Sequence, residues 1–131
     1  MVRDNQAMIT GIEHTAIASK DIAALAKFYT DVLGFVINYQ SANAIFVKSQ
    51  NGVMLELIHA AEERGPQTMK TEGVRHIAIA VSDFEAAYQR LKDHNVRFLA
   101  EPQESKGNKV VFFTDSDGNY LHLLYRATPL P

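Results

Sequence analysis

The segment GVRHIAIAVSD, residues 73–83, repeats GIEHTAIASKD, residues 11–21, matching Gly11 to Gly73, His14 to His76, Ile17 to Ile79, Ala18 to Ala80 and Asp21 to Asp83. The offset between the copies is 62 throughout. Further along, NGVMLEL (51–57) aligns with DGNYLHL (117–123) at an offset of 66, placing Gly52 on Gly118, Leu55 on Leu121 and Glu56 on His122. The chain therefore reads as one unit used twice. Each copy carries a side chain able to ligate a metal at the same two positions: His14 and Glu56 in the first, His76 and His122 in the second.

Working outward, IEHTAIAS and VRHIAIAV alternate as half-buried strands. In the second, Ile77, Ile79 and Val81 share one face and His76, Ala78 and Ala80 the other; His14, Ala16 and Ala18 repeat that small-residue face. A helix is predicted from Asp21, on the spacing of Ile22, Leu25, Ala26, Tyr29, Val32 and Leu33, with Gly34 ending it in a left-handed conformation. Its counterpart, DFEAAYQRLKDHN, buries Phe84, Ala87, Tyr88 and Leu91, and Ser82 with Glu85 has capping-box spacing. FVINYQ, AIFVKS and VMLELIH read as three strands, matched in the second copy by strands near 97–99 and 109–114 and by YLHLLYR after the DSDGN turn. The polar stretch 60–72 reads as a linker, so a first βαβββ module spans 9–59 and a second 73–126.

Composition bounds the rest. At 131 residues the two modules are too short to bury separate cores and are expected to share one. A net charge of -2 leaves no basic footprint for nucleic acid or an anionic membrane. No cysteine means no disulfide, thiolate metal site or catalytic thiol. The opening MVRDNQAMIT lacks an apolar signal-peptide stretch and no segment matches a membrane span, so a cytoplasmic protein is expected.

Three imidazoles and one carboxylate suit a divalent transition metal (zinc, nickel, iron, cobalt or manganese) rather than magnesium or calcium, which prefer oxygen shells. Four protein ligands in an octahedral shell would leave two positions for water or two neighbouring substrate oxygens. His59 and His94 lack matched placement and read as surface residues. The DSDGN stretch reads as a hairpin turn rather than a calcium loop. Phe46, Met54, Phe113 and Tyr120 are candidate pocket walls, and Lys48, Arg75, Arg97, Lys109 and Arg126 are candidate contacts for an anion.

With these residues in view the sequence resembles the vicinal oxygen chelate superfamily, the group of glyoxalase I (lactoylglutathione lyase), methylmalonyl-CoA epimerase, extradiol dioxygenases and the fosfomycin and bleomycin resistance proteins. IEHTAIASKD, FYTDVLGF (28–35), VMLEL, RHIAIAVSD and DSDGNYLHLL carry the resemblance. It implies an α+β fold of two βαβββ modules in a cupped eight-stranded sheet, one domain, commonly a homodimer, acting on a small-molecule substrate. His14, Glu56 and His76 match three ligand positions of glyoxalase-like members, whereas His122 stands where glyoxalase I and the epimerase carry a glutamate that is both ligand and base. The resemblance implies a lyase or isomerase working through a metal-bound enolate or enediolate, with Glu56 or His122 moving the proton. Alternatives are a non-haem iron dioxygenase using His14, His76 and Glu56, an epimerase, and a drug-binding protein without chemistry.

Overall fold

The computed structural model describes residues 8–131, so residues 1–7 of the opening read for a signal peptide lie outside the described residues. The first module comprises β1 (His14–Ser19), α1 (Ile22–Asp31), β2 (Val36–Gln40), β3 (Ala44–Lys48) and β4 (Met54–His59). The second repeats it with β5 (His76–Ala80), α2 (Phe84–Asp93), β6 (Gln103–Ser105), β7 (Asn108–Thr114) and β8 (Tyr120–Tyr125). They form two four-stranded sheets, ordered β1-β4-β3-β2 and β5-β8-β7-β6. The helix between β1 and β2 lets β1 run parallel to β4, as β5 does to β8; the remaining pairs are antiparallel. The expected number of strands is thus present, but β1 and β5 each end a sheet and, among the described residues, no ladder joins them.

The repeat extends to the helix ends. Asp21 and Asp83 are both extended N-caps, their carboxylates accepting from the N–H of Ala24 and of Ala86 at 3.0 Å. The cap of α2 is therefore Asp83, not the Ser82–Glu85 box expected from spacing; the helix starts one residue later, where a stronger anionic acceptor already meets the free N–H. At the other end of α1, Gly34 has φ +76°. The Phe35 N–H bonds to the Tyr29 carbonyl and the Gly34 N–H to that of Thr30, the double closure that needs a left-handed residue. A strand expected at 97–99 is instead a single bridge from Phe98 to Phe113, and the ladder strand comes later as β6. Phe98 packs against the core, and the polar Gln103–Ser105 pairs beyond Pro102 at the sheet edge.

Both modules share one core, in which Leu25, Tyr29, Val47, Leu57, Phe113 and Leu121 are fully buried. Each such side chain contributes about 1.5–3 kcal/mol by leaving water. Two polar contacts lock the modules at defined positions. Tyr29 donates its hydroxyl to Asp115 at 2.8 Å. Arg90 donates to the carbonyls of Val32 at 2.7 Å and Asp31 at 2.8 Å, setting a cation against the negative end of α1. Among the described residues no helix is long and apolar enough to cross a membrane.

Candidate metal centre

Strand register decides which side chains meet. In the first sheet Ala16 lies beside Glu56 and Phe46 pairs with Glu56 across the antiparallel ladder; in the second Ala78 lies beside His122 and Phe112 pairs with His122. Each candidate ligand therefore shares a face with small residues and one phenylalanine, while Leu55, Leu57, Leu121 and Leu123 turn into the core.

The four candidates assemble as two pairs. His14 Nε2 lies 3.3 Å from Glu56 Oε1, and the rings of His76 and His122 stand 4.7 Å apart between centroids. Two donors bonded to one metal at about 2.1 Å, at tetrahedral or octahedral angles, lie roughly 3.0–3.4 Å apart, so the His14–Glu56 pair has the spacing of ligands to one ion. Soft-to-borderline nitrogen donors plus one carboxylate fit a divalent transition metal. The pairs do not meet in one chain: among the described residues no three histidine, aspartate or glutamate side chains converge to hold an ion.

Aromatic contacts hold all three candidate histidine rings. His14 meets Phe46 at 5.3 Å and His76 meets Phe112 at 5.5 Å, while Phe112 and His122 are 4.7 Å apart. Phe112 replaces the expected wall residue Phe113, which is fully buried in the core. The signal for Phe112 lies in the repeat, since the 66-residue offset carries Phe46 onto it and Val47 onto Phe113. Met54 and Tyr120 lie on the ligand faces as expected, in register with His14 and His76. A β-bulge between Ile37 and Tyr39 also turns Tyr39 to this side, 6.0 Å from Phe46, a re-aiming that composition did not signal.

The candidate anion contacts separate. Lys109 pairs with Glu85 of α2 at 3.7 Å, and Arg75 donates to Gln67 and the Thr68 carbonyl, so both are engaged elsewhere. Arg126 is the basic group whose charge reaches His122. His59 contacts the Ala42 carbonyl at 2.9 Å and His94 caps α2, leaving both outside the centre. DSDGN is a hairpin turn: Asp115 accepts from the N–H groups of Asp117 and Asn119 and from the Asn119 amide.

Environment splits the histidines. The hydrogen bond to Glu13 raises the pKa of His14 above 6.5, opposed by burial and assisted by Glu56. Burial lowers that of His122, with the Leu123 carbonyl opposing and the charges of His76 and Arg126 assisting. A histidine whose native pKa lies below its unfolded value takes its proton first in the unfolded chain, so protonation favours unfolding. The metal-free protein is therefore expected to lose stability through His122 as pH falls below about 6.5, levelling off below the native value. Urea midpoints across that range for the protein and for His122→Asn check this; the variant should show the shallower fall. His14 acts in the opposite sense, stabilising at low pH and fading as pH rises through its native value, but it is exposed and well screened.

Two clefts of about 650 and 640 Å3 run along the free edges of β1 and β5. His76, Ala16, Ala18 and Tyr120 line the first, while Glu56 and His122 line neither.

A family model described as the glyoxalase/bleomycin resistance protein/dioxygenase superfamily matches residues 11–123. A metallothiol transferase FosB of Staphylococcus haemolyticus is 33% identical over 119 residues, covering 88% of this chain and 84% of that one. The mitochondrial methylmalonyl-CoA epimerase of Homo sapiens is 30% identical, over 81% of this chain and 67% of that one. Among solved structures, the oxidase ChaP-H2 superposes with a TM-score of 0.72 at 29% identity, over 91% of this chain and 95% of that one.

Proposed function

The chain belongs to the glyoxalase/bleomycin resistance/dioxygenase superfamily, and from that premise we propose that it is a metal-dependent lyase or isomerase of glyoxalase type. Its substrate is a small carbonyl compound with a neighbouring oxygen, from which a proton on carbon is removed and returned. His14, Glu56, His76 and His122 hold one divalent transition metal, which when bound supplies Lewis-acid polarisation to substrate oxygens. The observation that carries the reading is the His14–Glu56 pair at 3.3 Å, on the opposite half of a repeat from the His76–His122 pair.

The chain's own groups divide the work. Glu56 is the sole carboxylate of the quartet and a quarter exposed, so it can take the substrate proton at Oε1 or Oε2. His122, kept neutral by its burial, presents the lone pair of Nε2 to the metal because its Nδ1 donates to the Leu123 carbonyl at 3.1 Å. Phe46, Phe112 and Tyr39 bound the reacting carbon with apolar surface, and Arg126 faces an anionic end of the substrate.

Because the two pairs do not meet in one chain, the complete centre is built by a homodimer in which β1 and β4 of one copy face β5 and β8 of the other. The free edges of β1 and β5, and exposed Val36, Ile37 and Tyr39 on β2, support such an association.

The test is solvent deuterium incorporation into a panel of α-hydroxy and α-thio carbonyl compounds. Metal-loaded protein should exchange the α-proton of at least one, and Glu56→Gln should reduce that exchange by about 10²–10⁴-fold. The likeness to FosB favours a second reading, transfer of a thiol to an electrophilic substrate. Thiol-dependent consumption of an epoxide without α-proton exchange would replace the first reading with the second.

A further inference from the structure

We propose that Glu13 is a positioning residue that fixes the ring of His14 with Nε2 free for the metal, an inference that rests on His14 being a ligand. Glu13 Oε1 lies 2.7 Å from His14 Nδ1. An ionised carboxylate only accepts, so this bond puts the hydrogen on Nδ1 and leaves Nε2 as the coordinating nitrogen. Nε2 is the atom that faces Glu56. The two nitrogens leave the ring in diverging directions, so Glu13 does not itself reach an ion held on Nε2.

His14 needs such a partner more than His122 does. His122 is buried, packed against both Phe112 and His76, and its Nδ1 is placed by the Leu123 carbonyl. His14 is the first residue of β1, its side chain 36% exposed, with the edge of Phe46 against its ring. Glu13 can serve because it precedes the strand: its side chain is not bound to the face opposite His14, as a residue inside the ladder would be. The repeat makes the device specific to one module. The residue matching Glu13 is Arg75, which turns to Gln67 and Thr68 instead.

The experiment titrates cobalt(II) against a chromogenic chelator with the full chain and with Glu13→Ala, Glu13→Gln and His14→Ala. It also reads the His14 tautomer in the metal-free proteins by nitrogen-15 NMR. Loss of an outer partner to a metal-bound histidine typically costs about 10–100-fold in affinity. Glu13→Ala should lose that much and shift His14 towards the Nε2-protonated form, and Glu13→Gln, whose amide oxygen still accepts, should recover most of both. Wild-type affinity and tautomer in Glu13→Ala, alongside weakened binding by His14→Ala, would overturn the role of Glu13 while leaving the metal centre standing. Unchanged cobalt binding by His14→Ala would overturn the ligand reading itself.

Discussion

Glu56→Ala is expected to lower affinity for cobalt(II) or zinc by more than about 100-fold, beyond the 10–100-fold usual for an outer-shell partner, while leaving the fold intact. Glu56 supplies the only negative charge among the four proposed ligands, and its carboxylate sits at the spacing of a co-ligand from His14 Nε2. Its backbone neighbours in β1 and β3 are fixed by ladders on both sides, so truncation removes a donor without disturbing the strand. Leu55 and Leu57, which hold β4 in the core, are untouched. Metal content by elemental analysis together with an unchanged urea midpoint of the metal-free protein checks both halves. A variant that retains full metal would remove Glu56 from the centre.

Asp115→Ala is expected to destabilise the protein by about 2–4 kcal/mol, a large share of the roughly 5–15 kcal/mol that holds a domain of this size together. Asp115 is buried and accepts four hydrogen bonds, from the Tyr29 hydroxyl, the Asn119 amide, and the N–H groups of Asp117 and Asn119. Alanine leaves the Tyr29 hydroxyl without its partner in the core shared by the modules and loosens the turn that sets the register of β8. Burial, the largest cause of the Tyr29 pKa being raised, persists in the variant, so ionisation of the phenol offers no relief near neutral pH. Tyr29→Phe is the informative contrast: it removes the donor while Asp115 keeps three bonds, and should cost about 1 kcal/mol. Equal urea midpoints for the two variants would show that the turn contributes nothing beyond the phenol contact.

Much of the fold was legible because local rules and the repeat agreed. The faces of β1 and β5, the burial of Leu55 and Leu121 beside Glu56 and His122, and the left-handed stop at Gly34 all follow from period-two alternation and from glycine's freedom at positive φ. Sequence failed where two choices were nearly equal. In the run Val110–Thr114 every residue can face the core, so alternation alone could not tell Phe112 from Phe113; pairing with β8 decides it. Ser82 and Asp83 are both good caps, and the backbone resolves that by where the helix begins. The repeat gave the two pairs of proposed ligands, but whether the pairs meet within one chain was beyond reach. It depends on how two modules share a core, through Tyr29, Asp115 and Arg90, and no periodic pattern encodes that packing.

The proposed metal centre is drawn from two copies of the chain, His14 and Glu56 from one and His76 and His122 from the other. Differently tagged His14→Ala and His76→Ala chains should each bind little metal as homodimers. A purified heterodimer of the two has one centre with both lesions and one with none, so it should recover about half the wild-type metal content. A heterodimer as empty as its parents would contradict the shared centre, because only a centre closed within each chain is damaged in both subunits.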